Sequence, residues 1–204
     1  MKRYSQDDID TVIKILKDDG VVSVPTDTVY GICARVNSLK AFHKLVEIKN
    51  RPDNKNFPIM CSDLEQIKSI SIVDKKVKKL INAFMPGPIT LVLRKKNDTF
   101  LTINNGGERE TNEIAVRMAT STFLKEVIIG VGCPLFMTSA NKSGMDVCKS
   151  LDDIEKMCPT LDGMVEGDVS FGEASTIVDC TDDNIVIQRP GPIAEEQVME
   201  ALNG

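Results

Sequence analysis

The chain has 204 residues, with 30 acidic against 25 basic side chains and a formal net charge of -5. Hydrophobic residues make up 42% and charged residues 27%, which excludes general disorder, because there is enough apolar surface to offset the entropy of ordering. The acidic balance also excludes a protein that coats nucleic acid by bulk charge, leaving room only for a local basic patch. A fold of this length buries roughly 70% of its unfolded-chain surface and needs neither a disulfide nor a metal to be stable. The start, MKRYSQDD, lacks the apolar core of a secretory signal. No apolar run approaches the roughly 18 residues of a membrane span, so no membrane contact and a cytoplasmic location are expected. The cysteines at 33, 61, 133, 148, 158 and 180 form no CxxC pair, and His43 is the single histidine. Scattered, buried, reduced thiols are expected, with no protein-held metal and a packing or surface role for His43.

In chain order, Ser5 and Asp8 predict a capped helix start, and Ile9, Val12, Ile13 and Leu16 fall at helical spacing up to Gly20 as C-cap. Residues 21–24 read as a short buried strand stopped by Pro25. Ser38 caps a second helix with Phe42, Leu45 and Val46 on one face. Residues 57–61 predict a strand, then 63–68 and 75–84 predict helices, ended by Pro86-Gly87-Pro88. Strands follow at 89–93 and 113–118, a helix at 121–129, and a strand at 135–139 that runs into a polar turn. Ser150 caps a helix over 151–157; strands at 175–178 and 185–188 and a helix at 194–202 close the chain. The alternation has no linker or repeat and predicts a single α/β domain over 1–204. The one long polar loop, 98–111, is of the length that is usually functional or mobile.

The chemistry must come from polar clusters at element ends. The sequence contains no GxxxxGK[ST], no GxGxxG after a strand, and no histidine placed for a Ser-His-Asp triad. PTDTVYG at 25–31 follows a strand, where α/β folds hold ligands, and reads equally as a plain turn. Lys49 and Arg51 end a helix; alone, they read better as a solvated, dipole-matched helix end. Thr138, Ser139 and Asn141 form a turn that either binds phosphate or caps its own backbone. Arg117 lies between Val116 and Met118, and so faces solvent or meets an anion, because an unpaired buried cation is costly. Ser175, Thr176 and Arg189 complete the set. Four cations and several hydroxyls with no obvious general base suit binding a polyanion and stabilising charge during transfer.

Together these motifs resemble the YrdC/TsaC-type threonylcarbamoyl-AMP synthase family. The likeness rests on PTDTVYG at 25–31, KNRP at 49–52, PGPITLVL at 86–93, AVR at 115–117, TSANKSG at 138–144, STIVD at 175–179 and RPGPI at 189–193. They stand in the family's order and span the chain from about residue 20 to residue 193. The resemblance implies a single YrdC-like domain whose twisted mixed β-sheet, flanked by helices, encloses an electropositive cavity. It implies condensation of L-threonine, bicarbonate and ATP into threonylcarbamoyl-AMP and pyrophosphate, a nucleotidyltransferase reaction. Magnesium would arrive with ATP as substrate. The product would pass to downstream transferase proteins for t6A modification of tRNA.

By the same resemblance Lys49 and Arg51 are catalytic and, with Ser139, Asn141 and Arg189, nucleotide-binding. Thr26, Arg117 and Ser175 would hold threonine, Arg117 through a bidentate fork on its carboxylate. Two features depart from the synthase pattern. The stretch 49–58 is long and, with NFPIMCSDL, resembles the YciO branch, and Ala119 stands where a proline is usual. The long family forms carry a further C-terminal domain that is not expected here, so any gating by that domain would be absent or fall to the 98–111 loop. The competing readings are a YciO-like nucleotide-binding paralogue and a double-stranded RNA-binding module.

Overall fold

A computed structural model describes residues 1–50, 56–96 and 112–204. Among them, ten strands form one mixed sheet: β1 (Arg3–Tyr4), β2 (Val22–Val24), β3 (Gly31–Arg35), β4 (Ile59–Cys61), β5 (Ile89–Arg94), β6 (Glu113–Met118), β7 (Leu135–Ser139), β8 (Gly163–Val165), β9 (Thr176–Asp179) and β10 (Val186–Arg189). Their order is β1-β8-β2-β3-β7-β4-β6-β5-β9-β10. Seven helices accompany them: α1 (Ile9–Lys17), α2 (Leu39–Lys49), α3 (Leu64–Ile70), α4 (Lys75–Phe84), α5 (Thr122–Val131), α6 (Leu151–Met157) and α7 (Glu195–Asn203). The α/β class expected from the alternation is the observed one.

Local chemistry explains most boundaries. Ser38, Asp63, Asp74, Ser121 and Ser150 each accept a backbone N–H of the first helical turn, from α2 through α6. Ser5 and Asp8 form the expected capping box, on a short 3-10 turn ahead of α1. Along β5 and β6 the side chains alternate: Leu91, Leu93, Val116 and Met118 enter the core, whereas Thr90, Val92, Ala115 and Arg117 face a cavity. Phe42, Phe57 and Phe136 meet in the core with ring centroids 5.6 to 6.0 Å apart.

Three strands are absent from the sequence reading. β3 is buried along Gly31, Ile32, Cys33 and Ala34, so it shows no polar alternation and hides behind the preceding turn. β1 and β8 have only two and three residues and hold each other in parallel, too short for a periodic signal. The C-cap of α1 is also corrected. The left-handed residue is Asp19, at φ 65°, and its carboxylate takes Arg35 Nε at 2.8 Å. Gly20 matters for space instead: a Cβ there would lie 2.4 Å from Ile15 Cγ2 and 2.6 Å from the Ile15 carbonyl.

All six cysteines are free and buried, as expected. Burial pushes Cys33 and Cys180 up to about 12 and Cys148 up to about 11. Because the thiolate is the reactive form, an aromatic disulfide reagent at pH 8 is expected to leave the folded protein unlabelled and to modify six thiols in denaturant. Rapid native labelling of one thiol would contradict this.

Candidate functional site

The cavity has a volume of about 420 Å³ and lies on one face of the sheet, in the range of small-molecule sites. Thr26, Lys49, Arg117, Ser139, Asn141, Ser175 and Arg189 all line it, although they come from six segments far apart in sequence. Arg51, residues 53–55 and the polar loop at 98–111 lie outside the described residues. Within the unassigned 53–62 stretch, Asn56, Pro58, Ile59 and Met60 also line the cavity.

Lys49 is the last residue of α2 and only 2% exposed, so the solvated-helix-end reading fails for it. Its ammonium donates to the Ser139 carbonyl at 2.6 Å and to Asn141 Oδ1 at 2.7 Å. Ser139 Oγ donates to the same Oδ1 at 2.7 Å, and Asn141 Nδ2 donates to the Met145 carbonyl, which fixes the amide's orientation. The helix end and the turn after β7 are thus tied together, with Ser143 N–H donating to the Lys49 carbonyl at 2.8 Å. The charge is buried with acceptors around it, a requirement for keeping an ammonium out of water.

Arg117, on β6, is 7% exposed and meets an anion, the second of its two expected fates. Its Nη2 donates to both Asp27 oxygens at 2.6 Å, Nη1 to Thr28 Oγ1 at 2.7 Å and Nε to the Gly87 carbonyl at 3.1 Å. Thr120 Oγ1 donates to Asp27 Oδ1 at 3.1 Å. Burial lowers the Arg117 pKa, Asp27 opposes that shift, and Arg189 adds to it. With Nη2 engaged by Asp27, the two-nitrogen fork expected for a ligand carboxylate is not open in this arrangement.

Thr26 organises the turn after β2. Its Oγ1 donates to the Val29 carbonyl at 2.6 Å and accepts from Thr28 N–H at 3.2 Å. The turn is strapped from outside: the Asp27 carbonyl accepts Ser170 and Phe171 N–H, and the Thr28 carbonyl accepts Gly172 N–H. Tyr30 Oη donates to the Gly167 carbonyl at 2.5 Å.

The third cation arrives through a β-bulge. The β9–β10 register shifts between Ile187 and Arg189, which re-aims the strand end. Arg189 then donates from Nε and Nη2 to the Ser175 carbonyl at 3.1 and 2.6 Å. Burial lowers its pKa. Gly191 permits this turn: a Cβ would lie 2.5 Å from Thr176 N and 2.6 Å from the Ala174 carbonyl. Ser175 Oγ sits 2.8 Å from Thr90 Oγ1.

Sequence reasoning passed over Asp27 as the partner of Arg117 and Thr90 as the partner of Ser175. The first had a signal, since an arginine flanked by core residues requires an anion. The second had one too, as Thr90 is the polar residue within an apolar strand.

Among the described residues, two buried cations, Lys49 and Arg117, a third, exposed one, Arg189, a row of hydroxyls and one lining carboxylate, Glu113, make a cavity suited to a polyanion. Residues 14–191 match the model of the Sua5/YciO/YrdC family, described as telomere recombination. The chain belongs to this family. It is 33% identical over 196 residues to the threonylcarbamoyl-AMP synthase of Bacillus subtilis, covering 93% of this chain and 55% of that protein. It is 25% identical over 188 residues to the uncharacterized protein YciO of Escherichia coli, covering 90% and 88%. The crystal structure of P. abyssi Sua5 complexed with L-threonine superposes with a TM-score of 0.88 at 25% identity, covering 98% of this chain and 60% of that one. The chain therefore spans a little over half the length of the Bacillus and P. abyssi proteins, and the twisted, mixed YrdC-like sheet is its fold.

Proposed function

We propose that this Sua5/YciO/YrdC-family protein is an L-threonylcarbamoyladenylate synthase. The observation that carries this is the convergence of the seven described motif residues on one cationic cavity. The Bacillus relative's name and the threonine bound to P. abyssi Sua5 support it.

The reaction asks little of acid–base chemistry and much of electrostatics. The neutral amine of threonine adds to bicarbonate carbon and water leaves, giving a carbamate. A carbamate oxygen then attacks the α-phosphorus of ATP, the bond to the β-phosphate oxygen breaks, and pyrophosphate departs. Both partners of the second step are anions, so fixed positive charge lowers the barrier. In this reading Lys49 supplies that charge from a position already held by Ser139 and Asn141, and Arg51 joins it. Arg189, Ser139 and Asn141 contact the nucleotide, while Thr26, Arg117 and Ser175 face threonine. Magnesium enters with the triphosphate; the cationic and hydroxylic lining suits a metal carried on phosphate oxygens. The product would serve t6A formation in tRNA through downstream transferases in the cytoplasm.

The test is pyrophosphate release from magnesium–ATP by the purified chain. Release that requires both L-threonine and bicarbonate is expected. The 25% identity to YciO over 188 residues supports one second reading, a nucleotide-binding paralogue. ATP binding by folded protein without release would establish that reading in place of the synthase. Affinity for double-stranded RNA that persists after removal of Lys49, Arg117 and Arg189 would contradict an RNA role for the cavity.

A further inference from the structure

Outside the cavity, three sulfur-bearing residues gather behind the loop that holds Lys49. The Cys148 thiol donates to Met157 Sδ at 3.8 Å, and Cys158 follows Met157 as the C-cap of α6. None of the three lines the cavity. Cys148 and Cys158 are 6% and 1% exposed, and Met157 is half-buried, so the cluster opens to solvent at its thioether. The same residues close the loop. Met157 Sδ accepts Lys142 N–H at 3.3 Å, and Cys148 N–H donates to the Ala140 carbonyl at 3.2 Å.

The two thiols are electrostatic neighbours. Burial is the largest cause that raises Cys148, and the Cys158 thiolate is the next. Burial raises Cys158 as well, while Lys49 and then Lys142 oppose it. At Cys148, Asp153 adds to the rise and Lys49 opposes it. Two thiolates that repel each other are stabilised by a cation held between them, because a coordinated thiol gives up its proton outright. Two ammoniums nearby then balance the excess negative charge.

The geometry and the donor set select the metal. Two sulfurs that each lie about 2.3 Å from one metal stand about 3.8–4.0 Å apart at tetrahedral or trigonal angles. Cys148 and Met157 already have that separation. Zinc takes four ligands from cysteine, histidine and carboxylates, and among the described residues no three such groups gather. Two thiolates with a thioether are soft donors, which suit Cu(I). The cysteine spacing gave no sign of this, since one donor is a methionine and the fold supplies the proximity.

We propose that Cys148, Met157 and Cys158 bind one Cu(I) ion. Each thiol releases its proton to solvent on binding; the metal stays Cu(I) and no electron moves. The site lies apart from the cavity, and it stands whether or not the synthase reading does.

The experiment titrates the reduced full chain, without oxygen, into the Cu(I)–bicinchoninate complex and reads copper withdrawal from the loss of colour. The wild type is expected to withdraw one equivalent. Cys148→Ser and Cys158→Ser should each weaken affinity about 10-fold or more, since even outer partners of metal ligands are worth about 10–100-fold. Cys180→Ser, at the end of β9, should leave it unchanged. X-ray absorption of the loaded wild type should count three sulfurs around copper, and two in Met157→Leu, which keeps the volume. A wild type that withdraws no copper overturns the site. Affinity that is equal in wild type and the two serine variants, or that falls equally in Cys180→Ser, marks an adventitious ion only and also overturns it. Thermal melts verify folding. If a serine variant melts early, the sulfur count decides alone: three falling to two supports the site, and an unchanged count overturns it.

Discussion

Replacing Lys49 with methionine is expected to lower pyrophosphate release by about 100-fold or more, the scale on which removing one preorganised charge-stabilising donor is felt. Methionine keeps most of the buried stem and removes the ammonium. The loss should appear in kcat, because the charge it screens develops as the carbamate oxygen approaches the α-phosphorus. The change also leaves the Ser139 carbonyl and Asn141 Oδ1 without the donor that holds them at 2.6 and 2.7 Å. A destabilisation of about 1–3 kcal/mol should therefore accompany it. Steady-state kinetics beside a thermal melt separate the two effects. Activity within a few-fold of wild type would remove Lys49 from the chemistry.

The Asp27–Arg117 pair carries the second large effect. Asp27→Ala leaves a guanidinium buried at 7% exposure without its carboxylate. Removing one partner of a buried pair costs about 3–5 kcal/mol, which for a chain of this size lowers Tm by roughly 6–20 °C. Arg117→Met in the same chain removes the stranded charge, so the double variant should melt above Asp27→Ala alone. A single variant that melts within about 2 °C of wild type would contradict the pair's role in stability. In activity, Asp27→Asn should raise KM for threonine more than it lowers kcat, since the residue acts by orienting Arg117.

Much of the fold was legible because helix starts are written in short-range chemistry. Ser38 and Ser150 sit at the caps where they were expected, and β6, β7, α4 and α6 have their expected bounds. β3 was illegible for the opposite reason: buried on both faces, it shows no periodicity, and only its partners β2 and β7 define it. The site divides in the same way. The clusters could be found singly as polar residues at strand ends, but each was ambiguous by itself. Lys49 looked like a solvated helix end because nothing in KNRP reports that Ser139 and Asn141, some ninety residues on, fold over it. Arg117 declared its need for an anion through its flanks, while the identity of that anion depended on a turn ninety residues earlier.

The central claim is the chemistry of the cavity, and its product tests it most directly. The full chain is incubated with magnesium–ATP, L-threonine and isotopically labelled bicarbonate, and the nucleotide products are separated and weighed by mass spectrometry. The account predicts an adenylate carrying both threonine and the labelled carbon, formed by wild type and reduced about 100-fold or more in Lys49→Met. AMP without the label, or no adenylate from a folded chain that binds ATP, would contradict it.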